Sequence, residues 1–219
     1  STMDTDGQVQ YDASQAQITF NDTSNEYLVV WRADSSSGSL VDEEFEIYGR
    51  RVDSDETLLG SQLRISDMGP DGNTSYMATN PAVSYSSTND EYIVLWDGDD
   101  NNSPLVEGEN EIFMQRLDAT DGSTVGDNDL RISQAGPDGN TSYDSYQPGV
   151  AYDSTTNRIA IVWQADDNSG SLVDDEYEIY SQIIDLSADD PAIPTITAQS
   201  SLSTNEDTAL TITLSDLTV

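Results

Sequence analysis

The chain has 219 residues, with 42 acidic side chains against 7 basic ones and a formal net charge of −35. It contains no Cys and no His, and every basic residue is Arg. This removes disulfides, thiol chemistry, imidazole acid–base catalysis, the usual zinc ligands and amine nucleophiles. The charge argues against nucleic acid, whose phosphates it would repel, and against attraction to an anionic membrane.

The first repeated unit spans about residues 4–66. It opens on the turn signal Asp6-Gly7. Ala16–Phe20 alternates with period two and predicts a half-buried strand. Tyr27–Trp31 is apolar and β-branched throughout, as in a strand covered on both faces. After a loop over 32–43, Phe45–Val52 and Leu63–Ser66 read as third and fourth strands. The second unit, about 69–133, starts on Gly69-Pro70-Asp71-Gly72-Asn73-Thr74-Ser75-Tyr76 and predicts strands over Ala82–Tyr85, Glu91–Trp96, Glu111–Leu117 and Leu130–Ser133. The third, about 136–187, opens with nearly the same words at Gly136–Tyr143 and predicts strands over Gly149–Tyr152, Arg158–Trp163 and Glu178–Ile184. The hydrophobic 35% is gathered in these short runs, which suits thin β-layers.

The repeat is strict where it matters. Tyr27–Trp31, Tyr92–Trp96 and Ile159–Trp163 are one segment written three times, and each Trp precedes an aromatic by 17 residues (31 to 48, 96 to 113, 163 to 180). Tyr11, Tyr76 and Tyr143 stand 20 residues before the three Trp. Such a period sets the architecture. The expected fold is all-β: three four-stranded antiparallel, propeller-like blades within residues 1–190, with no sustained helical periodicity. Propellers usually have at least four blades. The three could therefore be completed by another chain, stack as an open array, or form sandwiches. Residues 191–219 read as a linker and a β-strand tail, Leu210, Ile212 and Leu214 forming one face. A lone strand needs a partner, so this tail is expected to dock on its own repeats or on a neighbouring copy.

Self-repulsion at −35 calls for bound cations or a saline setting. Hard oxygen ligands gathered in one loop are what Ca²⁺ requires. Asp34, Asp99 and Asp166 recur at one place in each copy, followed by Glu44, Glu109 and Glu176 and by Glu46, Glu111 and Glu178. These nine are the candidate Ca²⁺ ligands, with a solvated acidic face as the alternative. Asn21, Asn73, Asn101 and Asn140 head glycosylation sequons. Tyr11, Tyr76, Tyr143 and Tyr146 could stack on sugars, although recurrence in register with Trp favours packing. A glycosidase needs two carboxyl groups in different roles. Such a pair should break the repeat, and no acid is seen to do so.

No apolar run approaches the ~20 residues that span a bilayer. A chain beginning at Ser1 reads as a processed product or a segment. The cysteine-free, Ser/Thr/Asn/Asp-rich composition predicts an extracellular or cell-surface location.

Pro81–Tyr92 running into Ile93–Trp96, Pro148–Asn157, Glu46–Arg51 and Glu111–Arg116 resemble a propeller-type repeat of large secreted and surface proteins of bacteria. The tail Asn205–Leu214 resembles the opening strand of cadherin-like or immunoglobulin-like modules of bacterial adhesins, which implies Ca²⁺ at module junctions. The resulting expectation is a non-enzymatic structural or adhesion protein, joined to copies of itself or to neighbouring modules through the tail strand as a filament or surface assembly. A carbohydrate-binding module and a glycosidase-like enzyme are the alternatives.

Overall fold

A computed structural model describes residues 11–35, 38–166 and 176–187, and among them the chain is all-β with no helix. The first blade comprises β1 (Ala13–Asn21), β2 (Glu26–Ala33), β3 (Glu46–Asp53) and β4 (Leu58–Arg64). The second comprises β5 (Ala78–Ser86), β6 (Glu91–Gly98), β7 (Glu111–Asp118) and β8 (Thr124–Arg131). The third comprises β9 (Ser145–Asp153), β10 (Arg158–Asp166) and β11 (Tyr177–Asp185). Each sheet is an antiparallel meander in chain order, of four, four and three described strands. The first strands β1, β5 and β9 stand side by side, as the inner strands around a propeller axis do. The tail residues Leu210, Ile212 and Leu214 lie outside the described residues.

The 17-residue spacing is a cross-strand pairing. Trp31 lies opposite Tyr48, Trp96 opposite Phe113 and Trp163 opposite Tyr180. The rings stack with centroids 6.4 Å apart for Trp96–Phe113 and 6.2 Å for Trp163–Tyr180. The register holds only if the intervening loop keeps its length.

All eight residues of β6 are buried. Alternation sends Tyr92, Val94 and Trp96 toward Leu28, Val30 and Ile47 of the first blade. It sends Ile93 and Leu95 toward Ile159, Ile161 and Trp163 of the third. The expectation of strands covered on both faces holds for this middle blade. In β2 and β10 one face is covered and the other is open, with Tyr27 at 37% and Val162 at 44% exposure.

The outer strands lie earlier than their apolar residues suggest. β4 and β8 are edge strands exposed or half-buried along their length, and Ile65 and Ile132 follow them, outside the ladders. Their N–H groups donate to the carbonyls of Ile47 and Ile112 at 2.7 Å, and both side chains are buried between blades.

The repeated Gly-Pro-Asp-Gly loop has a steric cause. Gly69 and Gly136 have φ of +66° and +68°, and a Cβ on either would stand 2.4 or 2.5 Å from the ring of Tyr76 or Tyr143. Those two landmark tyrosines pack on the inter-blade cores.

Candidate functional site

The acidic loops are organised by backbone amides. Asp34 accepts the N–H groups of Asp12 at 2.6 Å and Glu43 at 2.9 Å. Asp99 accepts those of Met77 at 3.1 Å and Gly108 at 2.8 Å. Asp166 is buried at the equivalent place. Glu44 accepts from Val41 and Gly72, and Glu109 from Val106 and Gly139. Glu176 and Glu178 stand at the start of the last described segment, Glu176 exposed and Glu178 half-buried.

Glu46 and Glu111 are sealed inside, each accepting from a serine hydroxyl (Ser66 or Ser133), an arginine (Arg64 or Arg131) and a backbone N–H (Met68 or Ala135). Burial raises both carboxyls above the usual range against these donors. Among the described residues no group of three or more acids is placed to hold a metal ion.

The four sequon asparagines differ in setting. Asn21 is fully buried, its amide donating to the Tyr92 hydroxyl at 3.2 Å. Asn73 and Asn140 are half-buried and cap their own loops through Ser75 and Ser142. Asn101 is exposed.

A second constellation lies where the inner strands begin. Each inner strand is bulged there, which holds Gln15, Asn80 and Gln147 at φ of 55°, 51° and 55°. Bulges re-aim side chains and recur beside binding sites. Gln15 and Asn80 exchange two bonds across the first seam: the Gln15 amide donates to Asn80 Oδ1 at 2.8 Å, and Asn80 N–H to Gln15 Oε1 at 2.9 Å.

Asp97 binds the second seam. It accepts the Thr79 hydroxyl at 2.6 Å, the Asn80 amide at 3.0 Å and the Gln147 N–H at 2.8 Å. Desolvation raises its carboxyl, while those donors and the charge of Arg32 oppose the rise.

Arg32, Asp97 and Gln164 each follow the repeated Trp. They are one position occupied by a cation, an anion and an amide. The expectation that no acid breaks the repeat is therefore wrong: aligning the copies on Trp exposes Asp97. Arg32 lies 3.4 Å over the Phe45 ring, and its buried Nε has no hydrogen-bond partner among the described residues.

Tyr146 completes the group. Its hydroxyl accepts from Asn110 Nδ2 at 3.2 Å, and its ring lies 6.3 Å from that of Tyr177. Asp144 accepts the Asn110 N–H at 2.9 Å. Burial and then the Asp144 charge push the Tyr146 hydroxyl up, with Asp97 a smaller contribution. Two carboxylates, three bulge amides and an aromatic pair thus meet at one end of the axis. Planar amides and carboxylates suit vicinal hydroxyls, and rings suit the C–H faces of sugars.

No family model and no curated protein matches the chain. Its fold is similar to that of solved carbohydrate-active propellers. Against the Hadza microbial sialidase Hz136 the TM-score is 0.55 at 11% identity, covering 79% of this chain and 35% of that one. Against a thermostable family-43 glycoside hydrolase it is 0.50 at 12% identity, covering 88% and 62%. The chain thus spans less than two thirds of either. These neighbours correct two expectations. The surface-repeat and cadherin-like resemblance does not hold, and the reading as a non-enzymatic adhesion or filament subunit is overturned, because the fold is shared with a solved sialidase and a solved family-43 glycoside hydrolase.

Proposed function

We propose that this chain forms part of a carbohydrate-processing propeller, with the sugar bound where the inner strands begin. The observation that carries this reading is the break in the repeat after Trp, which puts Arg32 and Asp97 at equivalent places around one axis. A cation, an anion and an amide at one repeat position give the three blades different chemistry at that end of the axis, which a site that must treat one bond asymmetrically needs. Gln15, Gln147 and Tyr146 are the sugar-facing groups. Burial raises the Asp97 carboxyl against the donors Thr79, Gln147 and Asn80, and a raised carboxyl is the direction that a general acid requires. Asp144, beside the same tyrosine, is the second carboxylate.

The test is hydrolysis of a panel of aryl glycosides and sialosides by the purified chain, with direct titration of the same sugars. Turnover that falls about 10²-fold or more in Asp97→Asn, with the melting temperature retained, supports the assignment. Turnover indifferent to Asp97→Asn removes that residue from the chemistry. Neither turnover nor binding of any sugar overturns the reading.

A further inference from the structure

Among the described residues, the two outer blades each leave open the face that the middle blade buries. On the first blade Ile18, Phe20 and Tyr27 are 61%, 44% and 37% exposed. Their counterparts in the second blade are Val83, Tyr85 and Tyr92, which lie in or against the first inter-blade core. Beside them is a cavity of about 630 Å³ lined by Val29, Trp31, Arg50, Val52 and Leu58. On the third blade Val162 and Ile179 are 44% and 51% exposed. Their counterparts Leu95 and Ile112 are fully buried against that same blade. Exposed apolar surface of this kind marks an interaction site.

The two open faces are complementary by descent from the repeat. At the internal seams, a face of the Leu28-Val30-Ile47 kind meets a face of the Tyr92-Val94-Trp96 kind. The third blade leaves open a face of the first kind at Val162 and Ile179, and the first blade leaves open one of the second kind at Tyr27, with Val29 half-buried and Trp31 covered within its own blade. A second copy of the chain therefore offers each open face its usual partner. The described residues form three blades, short of the usual four to eight, and six lie within that range. A head-to-tail contact between copies either closes or runs on. With two copies, closure uses both open faces of the described residues.

We infer that two copies of this chain associate head to tail, the third blade of each against the first blade of the other, as a closed six-bladed pair. The pair brings both sets of axial residues around one axis. The inference does not depend on the sugar chemistry, because its test reads mass.

One detail differs at this seam. At the internal seams the Tyr85 hydroxyl is hydrogen-bonded to that of Thr23, and the Tyr152 hydroxyl to that of Thr88, both at 2.7 Å. The counterpart in the first blade is Phe20, which has no hydroxyl, so packing carries the contact there.

The experiment is sedimentation velocity of the full chain across micromolar concentrations in about 1 M salt, where the Debye length is about 3 Å and the charge of each copy is screened. The expected result is a dominant species of twice 23.8 kDa. Phe20→Glu and Val162→Glu, both at exposed positions, are expected to raise the dissociation constant at least about tenfold while keeping the β-sheet spectrum. A monomer at every concentration, an open series of larger species, or a pair indifferent to both variants overturns the inference.

Discussion

The carboxylate of Asp97 accepts the backbone N–H of Gln147 at 2.8 Å, so a side chain at the end of β6 fastens the inner strand of the next blade. The same carboxylate holds Thr79 and Asn80. Asp97→Ala would leave a buried N–H and a hydroxyl without their acceptor. A loss of about 3 kcal/mol in unfolding free energy is expected, read by denaturant titration. Asp97→Asn, which keeps an acceptor for Gln147, should lose markedly less.

Glu111 sits fully buried against Arg131, Ser133 and Ala135. Glu111→Gln would leave the Arg131 charge facing a neutral amide. Arg131 is 22% exposed and keeps its pair with Asp138, so the cost should be about 2 kcal/mol, below that of breaking a fully buried pair. Thermal unfolding with and without the change measures it.

Burial, then the charges of Glu46, Asp67 and Asp100, push the Asp129 carboxyl up to about 7. An unfolded aspartate titrates near about 3.9. Between those values the folded chain keeps a proton that the unfolded chain has released, so this group makes stability fall as pH rises through that window. Its contribution is complete below the unfolded value and gone above about 7. Asp129→Asn, at a φ of 47° that asparagine tolerates, should raise the melting temperature at pH above that value and flatten its dependence below. A variant that tracks the parent at every pH would contradict this.

Gly69 combines a φ of +66° with a Cβ direction that ends 2.4 Å from the Tyr76 ring. Gly69→Ala should cost about 2 kcal/mol or more, from left-handed backbone strain and displacement of the ring. Gly60, at φ +59° with open space around it, gives the control: Gly60→Ala should show the strain alone.

The Tyr85 hydroxyl bridges Asp90 in its own blade and Thr23 in the neighbour, both at 2.7 Å. Tyr85→Phe should cost about 1 kcal/mol, read in the melting temperature.

Blade number, strand type and the constant Trp–aromatic spacing were legible in the sequence, and the structure turned that spacing into a cross-strand pair. They depend on local hairpins, whose register is written in alternation and in conserved spacing between copies. The ends of β4 and β8 were not, because edge strands need little hydrophobicity and the readable Ile65 and Ile132 leave the ladder to fill the seams. The acids Asp34, Asp99, Glu44 and Glu109 were legible as a recurring set. That each is taken up by backbone N–H groups depends on loop paths that spacing does not report.

The axial group belongs to the tertiary structure. Gln15, Asn80 and Gln147 are separated by 65 residues (15 to 80) and 67 residues (80 to 147) along the chain. They meet only because three inner strands line up and bulge at one height. Sequence alone determined that one β-unit is written three times. Packing decided which faces are covered and which carboxylate stands at the axis, since both follow from how one sheet seats on the next.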